Sequence, residues 1–172
     1  RGIPVFRTPN AFSEPVADTT LGVILVFARS IFTNDRLMKK GHWDKPQGFS
    51  LSEKVVGIIG LGNIGTAVAK RLTGFRTAIL ANDIVEIDPE ILRKYGITMV
   101  SKDELYGRAD FICLHCDLNE TSFHLLNERA FEKMKQKPFV INMARGPIIE
   151  EVALIRALKN GKISGAALDV FE

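Results

Sequence analysis

Residues 55 to 65 read Val55-Val56-Gly57-Ile58-Ile59-Gly60-Leu61-Gly62-Asn63-Ile64-Gly65. Val55 to Ile59 is a short apolar run rich in β-branched residues, the pattern of a strand buried on both faces. It breaks into glycines at 60, 62 and 65, the G-x-G-x-x-G spacing, and a helix-compatible stretch follows from Thr66 to Leu72. Each glycine has its own task if this unit holds a pyrophosphate. Gly60 permits the tight strand-to-helix turn. Gly62 carries no Cβ, so phosphates can approach the backbone. Gly65 lets the helix lie close to the strand. The N–H groups of the first helical turn and the positive end of the helix dipole then face the anion.

The glycine spacing alone is weak evidence. Here a strand precedes it, a helix follows it, and Asp83 stands 18 residues after Gly65 at the end of a second apolar run, Ala78 to Ala81. A carboxylate at that place accepts hydrogen bonds from an adenosine ribose. The plainer alternative is a glycine-rich turn with an aspartate placed by chance, and it leaves that context unexplained.

Outward from this unit, strands and helices alternate. Strands are predicted at Ala78–Asn82, Ile97–Val100, Asp110–His115, Pro138–Met143 and Ser164–Val170. Helices are predicted at Pro89–Tyr95, stopped by Gly96, and after Ser101, with Glu104 completing a capping box. Two more are predicted from Asn127 or Glu128 to Met134, and over Glu150–Asn160, stopped by Gly161. Short connections and strict alternation imply parallel strands, right-handed crossovers and a doubly wound α/β sheet with helices on both faces, a three-layer Rossmann arrangement. Upstream, residues 1 to 10 read as an extended segment and a turn. Ser13 is the predicted cap of a long helix running from Val16 to about Lys40, apolar on almost every side between Val23 and Phe27. A helix with no polar face needs a second neighbour, which points to a homodimer or to another domain. Gly41 to Gly48 reads as a loop.

Composition narrows the class. Of 172 residues, 46% are apolar and 25% charged, enough for one globular domain with a real core. The net charge of +3 is small and interspersed, so no nucleic-acid partner is expected. The longest aliphatic–aromatic run, Val23 to Ala28, is far too short for a bilayer, so no membrane partner is expected either. The chain starts at Arg1 in a plausible strand, without Met, and is expected to be an NAD-binding piece, residues 1–172, of a longer protein. Its two cysteines stand in Cys113-Leu114-His115-Cys116. No second pair accompanies them, and residues three apart on a strand face opposite ways, so no metal site is expected. Nothing in this usage argues for an oxidising compartment, and the cytoplasm is the default.

In a doubly wound sheet ligands bind beyond the carboxyl ends of the strands. The predicted strand ends carry Gly60 to Gly65, Asp83, then His115, Cys116 and Asp117, then Met143, Ala144, Arg145 and Gly146, and finally Asp169. Arg145 stands out. Held on a stiff turn before Gly146 and Pro147, its planar fork suits a carboxylate or a carbonyl oxygen. Taken alone, a surface arginine paired with an acid is the plainer reading.

Four stretches together resemble the NAD-binding domain of the D-isomer-specific 2-hydroxyacid dehydrogenases. They are the glycine motif, Asp110-Phe111-Ile112-Cys113-Leu114-His115-Cys116, Val140-Ile141-Asn142-Met143-Ala144-Arg145-Gly146 and Gly165-Ala166-Ala167-Leu168-Asp169-Val170-Phe171. The resemblance implies hydride transfer between NAD and a small 2-hydroxy or 2-keto acid such as 3-phosphoglycerate. It implies that Arg145 anchors the substrate carboxylate and polarises the keto oxygen, and that Asp169 hydrogen-bonds the nicotinamide carboxamide. Cys116 falls where the main chain touches the cofactor ribose, Met143 and Ala144 pass the nicotinamide, and Asn63 and Ile64 lie against the pyrophosphate. Thr20 and Thr121 match lesser cofactor contacts. Asp83 favours NAD over NADP, because a 2′-phosphate would meet its charge and no Arg follows at Ile84 or Val85. Asp117 departs from the proline usual in the family. The family's catalytic glutamate and histidine would fall past Glu172, so this chain is expected to bind NAD without turnover. His115 matches a position outside that pair, and His42 and His124 read as loop and surface residues. The rival readings are a non-catalytic, NAD-responsive scaffold like the family's corepressor branch, and a formate dehydrogenase or glyoxylate reductase on the same fold.

Overall fold

The computed structural model of the chain describes residues 2–4, 6, 8, 10–44 and 46–172. Six strands form one sheet: β1 (Val55–Ile59), β2 (Ala78–Asn82), β3 (Ile97–Met99), β4 (Phe111–Leu114), β5 (Phe139–Asn142) and β6 (Gly165–Leu168). All neighbours are parallel and their order is β3-β2-β1-β4-β5-β6. The chain enters the middle of the sheet at β1, walks out to β3, and returns on the other side at β4. Helices α1 (Ser13–Ala28), α2 (Ile31–Lys39), α3 (Asn63–Leu72), α4 (Pro89–Tyr95), α5 (Lys102–Arg108), α6 (Glu128–Glu132) and α7 (Glu151–Lys159) accompany it. Beside β1 and β4 the strand order reverses, and a crevice opens between their carboxyl ends.

Both faces of the sheet are buried, which is why its strands are apolar without alternation. Val56, Ile58, Phe111, Cys113 and Ile141 pack with Ile24 of α1 and Val68 and Leu72 of α3. Ile112, Leu114 and Val140 pack on the opposite side with Leu105 of α5, Phe131 of α6 and Leu154 of α7. The three layers of the predicted doubly wound fold are therefore present. Cys113 lies wholly inside the first cluster, and burial pushes its thiol up to about 12. An aromatic chain ties α1 to the sheet: Phe27 stacks on Phe139 at 4.5 Å, and Phe139 on Phe111 at 5.3 Å. At the opposite end of the sheet from the crevice, the Asp110 carboxylate accepts from Lys54 Nζ at 3.0 Å and from Val55 N–H at 2.9 Å, pinning the starts of β1 and β4 together.

The predicted long helix over 16–40 is two helices, bent by 60° between α1 and α2. The reason is a tertiary hydrogen bond. Phe49 N–H, from the chain entering the sheet, donates to the Ala28 carbonyl at 2.9 Å, and Ser30 adopts a left-handed conformation with φ of 52°. The carbonyl that residue 32 would have used is thereby taken. Ser13 is not a cap but the first helical residue. Phe12 holds the cap position, and no side chain there bonds the helix. Apart from the start of α3, other boundaries agree with the sequence to within about two residues. Ser101 Oγ accepts from Glu104 N–H at 3.2 Å, but the Glu104 carboxylate turns to Arg108, so the capping box is one-sided. Gly96 and Gly161 stop their helices with φ of 63° and 62°. No single helix among the described residues is long and apolar enough to cross a membrane.

Candidate dinucleotide site

The cradle is assembled where β1 ends against the exit of β4. His115 N–H donates to the Ile59 carbonyl at 2.8 Å, carrying β4 one residue beyond its last strand position. Gly60 has φ of +92°, and a Cβ there would sit 2.5 Å from Cys116 N and 2.6 Å from the His115 carbonyl carbon. Glycine is thus required twice over at this position, by conformation and by contact. A Cβ on Gly65 would lie 2.1 Å from the Gly60 carbonyl oxygen, so α3 is drawn hard against the turn. Gly62 is different, because among the described residues a Cβ there would meet nothing within 4 Å. The space in front of it is open.

Helix α3 starts at Asn63, three residues before the predicted Thr66, with Gly62 as its N-cap and no side chain capping it. Asn63, Ile64 and Gly65 therefore form the first turn, and their N–H groups point toward that open space. The Asn63 side-chain amide donates to Asn10 Oδ1, from the segment before α1.

A cleft of about 260 Å³ lies beside this cradle, lined by Gly60, Gly62, Asp83, Cys116 and Thr121 among the residues singled out from the sequence. The Asp83 carboxylate is clasped by three backbone donors: Leu61 N–H at 2.6 Å, Ile84 N–H at 2.7 Å and Val85 N–H at 3.2 Å. The residue that follows β2 thus also holds the glycine loop. An ionised carboxylate offers about four acceptor positions, so capacity remains for a ribose hydroxyl. Burial pushes the Cys116 thiol up; the charges of Asp83 and Asp117 add to this, while Lys102 opposes them. The thiol is thus held protonated and is no nucleophile.

His115 lines the same cleft, yet neither ring nitrogen reaches solvent or finds a hydrogen-bond partner among the described residues. Burial drives its pKa down to about 4 from the usual 6.5, so the ring is neutral at pH 7. The sign follows from linkage. The unfolded chain binds this proton below pH 6.5 and the folded chain only near pH 4, so stability is complete above the first value and is lost as pH falls between the two. The loss is on the order of 3 kcal/mol. Urea unfolding at pH 7 and pH 4.5 should show this loss shrink in His115→Leu relative to the parent chain. An unchanged difference would refute it.

The loop after β4 carries Asp117 where a proline was expected from the family pattern. Ser122 holds the loop in its place: its hydroxyl donates to the Asp117 carbonyl at 2.6 Å and accepts from Asn119 N–H at 2.8 Å. Asn119 Oδ1 in turn accepts from Thr121 N–H and Oγ1, at 2.8 and 2.7 Å. Thr20 is fully buried in α1, with its hydroxyl on the Val16 carbonyl at 2.8 Å, and does not line the cleft.

Met143, Ala144 and Arg145 leave β5 on the same rim of the sheet as Asp83, since all the strands are parallel. They lie beside the cleft, not in its wall. Arg145 is exposed, and its guanidinium donates to the neighbouring Ala144 carbonyl at 2.7 Å. Asp169 is exposed at the end of β6, with its N–H on the Asn142 carbonyl at 3.0 Å. Asn142 itself escaped the sequence reading. It is 1% exposed, its Oδ1 accepts from Ala144 N–H at 3.0 Å, and its Nδ2 donates to the Arg145 carbonyl at 2.9 Å. One side chain thus braces the whole turn that presents Arg145. The available signal was a lone amide ending an otherwise apolar buried strand, where a polar group needs partners.

A family model described as the NAD-binding domain of D-isomer specific 2-hydroxyacid dehydrogenases matches residues 21–172. The chain belongs to this family. It is 41% identical to the glyoxylate reductase of Thermofilum pendens, over all of this chain and 52% of that protein. It is 39% identical to human D-3-phosphoglycerate dehydrogenase, over 99% of this chain and 32% of that protein. A D-lactate dehydrogenase from Aquifex aeolicus, solved with NAD and lactic acid, superposes with a TM-score of 0.92 at 33% identity, covering 99% of this chain and 52% of that one. The domain therefore spans about half, or less, of the length of these relatives. The residues present fit the dinucleotide: an uncapped helix start, open space at Gly62, and a carboxylate in the adjoining cleft.

Proposed function

We propose that the protein containing this NAD-binding domain transfers hydride between NAD and a small 2-hydroxy or 2-keto acid, with 3-phosphoglycerate as the leading candidate. One observation carries the cofactor half of this reading: Asp83 and the bare start of α3 frame a single cleft at the point where the strand order reverses. In this reading Gly62, Asn63, Ile64 and Gly65 cradle the pyrophosphate and Asp83 takes the adenosine ribose. Cys116 touches the other side of the nucleoside, and Met143, Ala144 and Asp169 face the nicotinamide end. The bound nicotinamide supplies the hydride chemistry. Arg145 gives up its intraturn bond to Ala144 to grip the substrate carboxylate and polarise the keto oxygen. His115 is not assigned to proton transfer, because its ring nitrogens are enclosed and the ring is neutral. Association into a homodimer through α1 and α2 belongs to the same proposal, prompted by the exposed Phe12, Ile31 and Phe32 on and beside those helices.

Calorimetric titration tests the cofactor half. NAD is expected to bind, and Asp83→Ala to weaken it by about tenfold or more, since hydrogen bonds to a charged group contribute roughly 1.5–3 kcal/mol. Absence of heat with NAD, or an Asp83→Ala variant that binds as well as the parent, would sink the assignment. The 41% identity to a glyoxylate reductase gives glyoxylate specific weight as a second substrate. Oxidation of NADH by the longer protein, with hydroxypyruvate, 3-phosphohydroxypyruvate and glyoxylate compared, separates the two.

A further inference from the structure

Local sequence favours NAD over NADP: Asp83 is acidic and no Arg follows at Ile84 or Val85. The tertiary structure brings a cation from elsewhere. Lys102, the first residue of α5, is half-buried and lines the same cleft as Asp83 and Cys116. Its acidic neighbours on the helix are already engaged. Asp103 holds Lys133 Nζ at 2.6 Å, and Glu104 holds Arg108. Among the described residues, no carboxylate lies in ion-pair contact with the Lys102 ammonium. Local helix energetics do not account for the residue either, because a cation in the first turn opposes the helix dipole. A residue that breaks a local rule inside a binding cleft asks for a ligand. Asp83 meanwhile spends its two oxygens on three fixed N–H donors, which anchor it and temper its field.

We propose that Lys102 makes the adenosine end of the cleft a site for a phosphate monoester on the ribose, so that this domain accepts NADP as well as NAD. The inference rests on reading the cleft as the adenosine end of the dinucleotide site. The long flexible stem and compact ammonium of lysine suit a point-charge contact with phosphate. The repulsion from Asp83 is then opposed across the same cavity.

Fluorescence titration with NADH and NADPH tests it on the parent chain, Lys102→Leu and Lys102→Arg. The parent chain is expected to bind NADPH with a Kd within about tenfold of that for NADH. Lys102→Leu, which keeps the apolar stem, should raise the NADPH-to-NADH ratio of Kd values by about tenfold, or ~1.4 kcal/mol. Lys102→Arg should restore most of it. If NADH binds and NADPH does not, or if the ratio is the same in Lys102→Leu, the inference is wrong and the cofactor site stands. If neither dinucleotide binds, the reading of the cleft falls and takes the inference with it.

Discussion

Gly65→Ala is expected to destabilise the domain by roughly 2–4 kcal/mol and to remove measurable NAD binding. The methyl group would lie 2.1 Å from the Gly60 carbonyl oxygen, a backbone atom that cannot swing aside as a side chain would. Relief requires α3 to back away from the turn, and the first-turn N–H groups move with it. The control is Gly62→Ala. Its methyl group meets no atom of the described residues within 4 Å, and its φ of −71° suits any residue. Stability there should stay within about 0.5 kcal/mol of the parent. Affinity for NAD should nevertheless fall at least about tenfold, because the methyl group would occupy the space the proposed reading gives to phosphate. Urea unfolding and calorimetry on both variants separate the two roles. Equal destabilisation by the two substitutions, or a Gly65→Ala domain of parental stability, would show that the cradle is misread.

Asn142→Leu is the second change with a large expected effect. The leucine has nearly the same size but neither donor nor acceptor. It strands the Ala144 N–H at the buried foot of the turn, while the Arg145 carbonyl keeps its bond from Ile148 N–H at 3.3 Å, at a cost of roughly 1–3 kcal/mol. The turn is confined on its other side as well. A Cβ on Gly146 would lie 1.8 Å from the Phe171 carbonyl oxygen, so the exits of β5 and β6 are in direct backbone contact. Loss of the Asn142 brace should therefore be felt at Arg145 and Asp169 together. Hydrogen exchange at the Ala144 amide is the local readout: its protection should fall by more than that of the β1 and β4 amides. On the proposed hydride-transfer reading, kcat/KM of the longer protein toward a 2-keto acid should fall about tenfold to a hundredfold, as misplacement of Arg145 as the proposed substrate anchor would give. Asn142→Asp, which keeps only the acceptor for Ala144 N–H, should lie between parent and leucine in exchange at that amide. Unaltered Ala144 protection in the leucine variant would show that Asn142 merely fills space.

Much of the fold and part of the site were legible in the chain, and particular residues show why. The strand–glycine–helix unit, the alternation that follows it, and the caps at Ser101, Gly96 and Gly161 all depend on residues a few positions apart. The burial of Val56, Ile58, Ile112 and Cys113 on both faces was written in an unbroken apolar pattern. The gathering of Gly62, Asp83 and Cys116 followed from topology, since parallel strands put all their exits on one rim. What misled was the apolar run through Val23 to Ala28, which continues helically on past Ala28 by pattern but not in space.

By itself, then, the sequence determined the doubly wound sheet, the position of the glycine turn that opens α3 and the rim on which Asp83 and Arg145 both stand. Only the tertiary structure decided that Phe49 ends α1 at Ala28, that Asp83 clasps Leu61, that Asn142 braces the Arg145 turn and that Lys102 enters the cleft. The division has a physical cause. Strand and helix periods and turn chemistry act over neighbouring residues, and a parallel sheet converts them into a fixed order of strand ends. Apart from the brace within the β5 turn, these contacts join residues far apart in the chain, and even the brace is demanded only because the turn is buried, which no local pattern records.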